Sequence, residues 1–438
     1  MAMTKKSTTG LEVELFTVDG EGKLVNKADE VMDATKGKGL SSYVRQEIST
    51  CLLEIGSDPG PSVRDMALPF LEKVYEVVEI AEEKNIYLLP FGTHPAKGFS
   101  KIRSKLWYDA KVAVVGMENA KKEGKIAGFH FHYSLPRGIV DKEMEMIKQL
   151  KRSKSKEVFL NQYNFLVAAD PALLTFSQST PVWQGKHYGK DCRVIVYRDM
   201  AVEDLKSMFY YNSLFSSLPN YEFTMQDLIV LADTKKREYL RLLEKNNFPT
   251  NEIAGVPTLK FMWGPLRVNK VGTFEYRGPD MNMPTNIFSI GALIKLALLS
   301  IEKLELEVLP SDIGIDEPFT IEDGVMYVPP HSTLKYLEYQ SAIKGFESQN
   351  VYSYCSKLVK LVSDISKKGE TPLLGPVKKM LKEKKTMSDE MLELIKKNGH
   401  DPKKPLPDDV LNYVSLYYAK KLKENIEEAQ KICKKAKI

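Results

Sequence analysis

The run Leu11-Glu12-Val13-Glu14-Leu15 alternates apolar and acidic side chains with a period of two, and an extended strand is what sorts such a run onto two faces. Leu11, Val13 and Leu15 would enter a core, leaving Glu12 and Glu14 together on the opposite face. Acids or imidazoles recur in apolar, strand-like surroundings at three further places: Glu47 and Glu54 within 46–56, His130 and His132 in GFHFHYSL, and Glu275 with Arg277 in GTFEYRG. Taken alone, any one of these pairs reads as a solvated strand face. Together they are what a concave sheet needs to hold divalent cations through oxygen-rich ligands. Glutamates with an imidazole suit Mg²⁺, whereas zinc would call for more His and Cys. Such cations are suited to bridging ATP phosphates and neutralising the charge that develops in phosphoryl transfer.

Between these strands the apolar spacing turns helical. It predicts helices over 62–84, 104–122, 141–169, 203–217, 225–245 and 285–307, with a last amphipathic helix from Asp408 onward. Residues 46–56 and 86–95 read as strands, 176–198 as a loop feeding a strand, and 258–278 as a β-hairpin turning near Asn269 and Lys270. The proline-bearing stretch 309–330 reads as a connection. The expected organisation is a disordered start (1–9), a catalytic unit (10–308), that connection, and a helical C-terminal region (331–438).

At 438 residues the chain exceeds one compact core. Its net charge of +5, from 63 basic against 58 acidic residues, is too mild for a nucleic-acid footprint. The lysines of the C-terminal helix accompany a regular apolar stripe, so they read as a solvated face rather than a nucleic-acid arm. Cys51, Cys192, Cys355 and Cys433 form no CxxC motif, which points away from a disulfide framework and towards a reducing, cytoplasmic setting. The start lacks an apolar leader, and the longest apolar run, Ile287 to Ile301, is interrupted by Lys295, so no membrane segment is expected. Oligomeric state is open, and a homo-oligomer is compatible with all of this.

The motifs GLEVEL, EISTCLLEIGSD, PFGTHP, GFHFHYS, FSQSTPVWQG and GTFEYRGPD, in this order over roughly residues 10–300, resemble those of the glutamate-cysteine ligase type 2 and carboxylate-amine ligase family, a branch of the glutamine synthetase superfamily. The resemblance implies an α+β fold: a curved, mainly antiparallel sheet whose concave face is the active site, with helices packed behind and a helical C-terminal extension. It also implies ATP, two or three Mg²⁺ or Mn²⁺ ions, and as substrates an amino-acid carboxylate and an amine. Glu14, Glu47 and Glu54 resemble the set holding one cation, and Glu12, His130 and Glu275 the set holding the cation on the ATP phosphates. Arg277 resembles the arginine beside the γ-phosphate, and Arg267, four residues after Trp263, a further ATP contact. Arg193 resembles the arginine gripping the substrate carboxylate, with His132 and Gln178 on the substrate side.

The implied reaction is ATP-dependent amide formation through an acyl phosphate, with the γ-carboxylate of glutamate joined to cysteine or another amine. Metals and arginines act there by positioning and electrostatics, so no nucleophilic Ser or Cys is required. The alternative is a nucleotide-binding regulatory pseudoenzyme of the same fold, which would be expected to have lost some of the six acids and imidazoles. A metal-dependent hydrolase would want an HExxH or a third nearby histidine, and the sequence has neither.

Overall fold

The computed structural model describes residues 7–150, 153–209, 212–366 and 371–436. Of the start expected to be disordered, 1–6 lie outside the described residues, and Thr9 already opens a strand. Seven strands form the main sheet: β1 (Thr9–Val18), β2 (Val44–Gln46), β3 (Leu52–Gly56), β4 (Tyr87–Leu89), β5 (Phe129–Ser134), β6 (Leu266–Asn269) and β7 (Thr273–Tyr276). Their order is β6-β7-β5-β1-β3-β2, with β4 also pairing β1, and every pair is antiparallel.

The apolar face of β1 behaves as its alternation predicts. Leu11, Val13 and Leu15 are buried against a helical layer that supplies Phe70 and Val74 from α1 (Val63–Glu82), Ile287 and Phe288 from Pro284–Leu304, and Leu422 from Asp408–Lys435. Phe129, Phe131 and Tyr133 of β5 enter the same layer. Gly291 is required there, because a Cβ at that position would lie 2.7 Å from the Phe131 ring. Phe274 of β7 stacks on Phe159 at 5.1 Å. The C-terminal helices join this core, which runs from Leu11 to Ala436, and the Tyr354 hydroxyl donates to the Ala168 carbonyl at 2.6 Å.

Several local expectations give way to stronger local chemistry. The stretch 46–56 is not one strand: the backbone of 48–50 bonds to 101–103 (Arg103 N to Ile48 O, Thr50 N to Lys101 O, both 2.9 Å), which separates β2 from β3 and leaves Glu47 on a turn. The helix expected over 104–122 breaks at Gly116, whose φ of +84° divides Leu106–Val115 from Met117–Glu123. The helix expected from 141 starts at Lys154, capped by Ser153. Ahead of it the Asp141 carboxylate accepts the amides of Glu143 and Met144 and closes a hairpin. Cys192–Tyr197 is a helix despite its β-branched residues, because the Asp191 side chain caps the Val194 amide. Residues 201–206 form a hairpin instead of the start of a helix, and 307–328 carry a small three-stranded sheet where a plain connection was expected.

Candidate active site

Strand register builds the polar face. Glu14 lies directly opposite Glu54 on β3, Glu12 opposite His130 on β5, and Glu275 of β7 is flanked by His132 on one side and Arg267 on the other. The two glutamates of GLEVEL thus share a face because each meets a different neighbouring strand. Glu47 reaches the same place from the turn after β2.

Distances show how tight the row is. His130 Nε2 is 3.4 Å from Glu14, and its Nδ1 is 3.3 Å from Glu12, 3.9 Å from Glu275 and 3.2 Å from Arg277. That Nδ1 donates to Glu12 in one tautomer and accepts from Arg277 in the other. His132 Nε2 lies 3.5 Å from Glu12 and has no hydrogen-bond donor or acceptor among the described residues. Three groups bring one ligand atom per residue within 4.8 Å of one another: Glu14, Glu47 and Glu54; Glu12, Glu54 and His130; and Glu12, His132 and Glu275. Metal–oxygen bonds of about 2.0–2.6 Å allow ligand atoms that far apart around one ion.

Burial and local charge set the protonation of these groups. Burial and the neighbouring Glu14 push the Glu47 carboxyl up to about 8. Burial, with Glu12, Glu47 and Glu14 around it, also holds Glu54 well above the usual carboxylate range. At Glu12 burial is outweighed by the imidazoles of His130 and His132, and at Glu275 by Arg267 and Arg277, so both are held ionised. Burial and the adjacent Arg277 keep His130 neutral, with a lone pair free for a ligand. Clustered carboxyls that repel one another, beside a neutral imidazole, fit Mg²⁺ or Mn²⁺.

Glu12, Glu14, Glu47, Glu54 and His130 line a cavity of about 330 Å³. Arg277 donates to Glu275 from its wall, and Arg267 donates to Glu275 at 2.6 Å. Arg193 also reaches the wall, but its guanidinium donates inward to the carbonyls of Gly278 (2.7 Å) and Arg277 (3.3 Å), so it braces the loop carrying Arg277. Two expectations change. His132, expected on the substrate side, sits among the ligand atoms with Glu12 and Glu275. Gln178 is not at the cavity: it is wholly buried, and its amide donates to the Ser341 carbonyl at 2.7 Å.

Other participants were missed. Arg45 of β2 lies 3.2 Å from Glu12 and 3.3 Å from Glu54, its side chain still 55% exposed. Its strand alternation was readable, but its partner strand was not. Asn269, two residues beyond Arg267 and on the same face of β6, also donates to Glu275. Trp107 and Lys111, four apart on Leu106–Val115, join Trp263 as the cavity's aromatic wall, with the Lys111 ammonium 4.7 Å above the Trp263 ring.

A curved antiparallel sheet with a carboxylate–imidazole face, backed by helices, is the fold class of the glutamate-cysteine ligases. A solved Francisella tularensis glutamate–cysteine ligase in complex with AMP superposes with a TM-score of 0.57 at 12% identity, covering 98% of this chain and 92% of that one. A bifunctional glutathione synthetase from Pasteurella multocida superposes at 0.53 and 13% identity, covering 95% of this chain and 52% of that one. At the level of sequence, residues 8–222 match the model of glutamate-cysteine ligase family 2. A "Putative glutamate--cysteine ligase 2" of Ruegeria pomeroyi is 24% identical over 256 residues, 57% of this chain and 60% of the relative. Its namesake in Chloroflexus aurantiacus is 22% identical over 212 residues, 48% of this chain and 49% of the relative. The matches thus span about half to three fifths of the curated relatives' length.

Proposed function

We propose that this chain is an ATP-dependent carboxylate–amine ligase that joins the γ-carboxylate of glutamate to the amine of cysteine or of another small molecule. The observation that carries this reading is the Glu14, Glu47 and Glu54 group, three carboxylates whose oxygens converge within 4.8 Å of one another on the cavity wall. Bound ATP with Mg²⁺ or Mn²⁺ would supply the phosphoryl group that makes the substrate carboxylate an acyl phosphate open to attack.

The chain's own residues prepare that event. Glu12, His132 and Glu275 offer ligand atoms at one end of the ladder, Glu14, Glu47 and Glu54 at the other, and His130 lies between them. Arg277, held by Glu275 and presented at the cavity wall, is placed to stabilise charge on transferring phosphoryl oxygens, with Arg267 as a second cation beside it. Arg193 fixes the carbonyls at 277 and 278 and so aims Arg277. Among the described residues that line the cavity there is no Ser or Cys, which suits an amine attacking an already activated carbonyl.

Retention of all six acids and imidazoles on one face weighs against a nucleotide-binding regulatory protein of the same fold. Among the described residues no helix is long and apolar enough to cross a membrane. All four cysteines are unpaired buried thiols, which favours a cytoplasmic setting. Incubation with ATP, Mg²⁺ and glutamate against a panel of amines, following ADP release and product mass, tests the reading. Amide product from at least one amine is expected, and ATP consumption without any amide would overturn it.

A further inference from the structure

Behind the cavity lies a second pair of carboxyls that the proposed reaction does not use. Asp191 and Asp280, about one per cent exposed or less, meet at Thr180, whose backbone bridges to Asp191 and whose hydroxyl donates to Asp280 at 2.8 Å. Asp280 Oδ2 accepts the Ser179 amide at 3.0 Å and the Thr180 hydroxyl at 2.8 Å, whereas Asp191 Oδ1 accepts only the Val194 amide, at 2.8 Å. The remaining oxygens, Asp191 Oδ2 and Asp280 Oδ1, have no donor among the described residues. Two buried carboxylates so close cannot both be ionised at modest cost, and a buried acceptor without a donor is itself unfavourable.

We propose that Asp191 and Asp280 share one proton, carried by Asp191 and donated to Asp280, and that this pair is a positioning element for Arg193 and Arg277. The donor pattern assigns the roles: Asp280, already surrounded by N–H and O–H groups, is the anion, and Asp191 is the acid. The ionisable groups acting on the pair are Arg193, whose guanidinium balances the single charge, and the buried thiol of Cys192. The linkage to the cavity is short. Asp191 caps the helix Cys192–Tyr197, which carries Arg193 and Tyr197 to the cavity wall, and Asp280 lies three residues after Arg277 on the loop whose carbonyls Arg193 holds. Thr180 ties the two sides, its hydroxyl bonded to Asp280 and its carbonyl accepting the Cys192 amide at 2.7 Å.

The positioning role rests on the proposed ligase reaction, whereas the shared proton does not, and the test separates them. An amide at 191 can still accept from Val194 and donate to Asp280. An amide at 280 must turn its NH₂ towards the donors of Ser179 and Thr180 or lose its bond to Asp191. Asp191→Ala and Asp280→Asn should therefore melt lower and lose on the order of 10–100-fold in kcat with little change in KM, while Asp191→Asn rescues both properties lost in the alanine variant. The infrared difference spectrum of parent minus Asp191→Asn should show the carbonyl stretch of one protonated carboxylic acid at neutral pH. Absence of that band, or an Asp191→Asn protein as impaired as Asp280→Asn, would overturn the proposal. A parent without turnover would count against the ligase reading, and the infrared and melting comparisons would still decide the shared proton.

Discussion

Glu14 and Glu54 face each other directly across β1 and β3, both almost fully buried, with Glu47 brought to the same point by the turn that ends β2. Like charges opposite each other destabilise a sheet. Burial and the neighbouring carboxylates push the Glu47 and Glu54 carboxyls upward, which lowers that repulsion.

Replacing Glu54 by Gln keeps the shape of β3 and removes one acid from the cluster. Metal-free protein should melt at the parent temperature or slightly above it. The gain in melting temperature on adding Mg²⁺ should shrink, with Mg²⁺ affinity falling by roughly tenfold or more, since each 1.4 kcal/mol of lost attraction is tenfold. Thermal melts in chelator and in graded Mg²⁺ measure both. A variant that melts early in chelator yet keeps the full Mg²⁺ response would make Glu54 a structural residue.

Glu47 makes metal-free stability depend on pH. Its carboxyl titrates near 4.5 when unfolded and at about 8 when folded. Between these values the folded state holds the extra proton, so stability falls as pH rises from about 4.5 to about 8. Saturating Mg²⁺ replaces that proton and should flatten or reverse the slope. Urea midpoints across this range, with chelator and with Mg²⁺, check the sign, and a metal-free protein that gains stability over the window contradicts it.

Arg277→Lys should lower kcat by about 10²-fold or more while changing the KM for ATP little, because an ammonium cannot replace the planar fork where transition-state charge develops. Steady-state kinetics separate the two effects. A raised KM with unchanged kcat would place Arg277 in ground-state nucleotide binding.

Arg45 competes with a cation for the oxygens of Glu12 and Glu54. Arg45→Gln should tighten Mg²⁺ binding in the absence of nucleotide, by a fewfold given the exposure of the guanidinium. Calorimetric titration reads this, and an unchanged or weaker affinity would show that Arg45 does not screen the site.

What was legible in the sequence was what obeys a short period. The alternation of β1, the hairpin expected over 258–278, the 225–245 helix and the apolar face of β5 all follow from side chains sorted by burial. Illegible were the features decided by single polar contacts. The cap of Asp191 on Val194 turned a β-branched run into a helix, the turn at Asp141 displaced a helix start, and the bonding of 48–50 to 101–103 put Glu47 on a turn. The resemblance already set Glu14, Glu47 and Glu54 together, but it did not place His132 beside Glu12 and Glu275. His132 joins Glu12 and Glu275 because β5 lies between β1 and β7, and strand order is not written in local periodicity.

The central claim, that this face holds divalent cations for phosphoryl chemistry, is tested most directly by anomalous scattering from crystals grown with Mn²⁺ and a non-hydrolysable ATP analogue. The account predicts one peak among Glu14, Glu47 and Glu54 and at least one more on the Glu12 side of the ladder, with His130, His132 or Glu275 as ligands and the phosphates bridging towards Arg277. Analogue bound in the cavity at saturating Mn²⁺ with no peak on this face, or with peaks only elsewhere on the molecule, would contradict it.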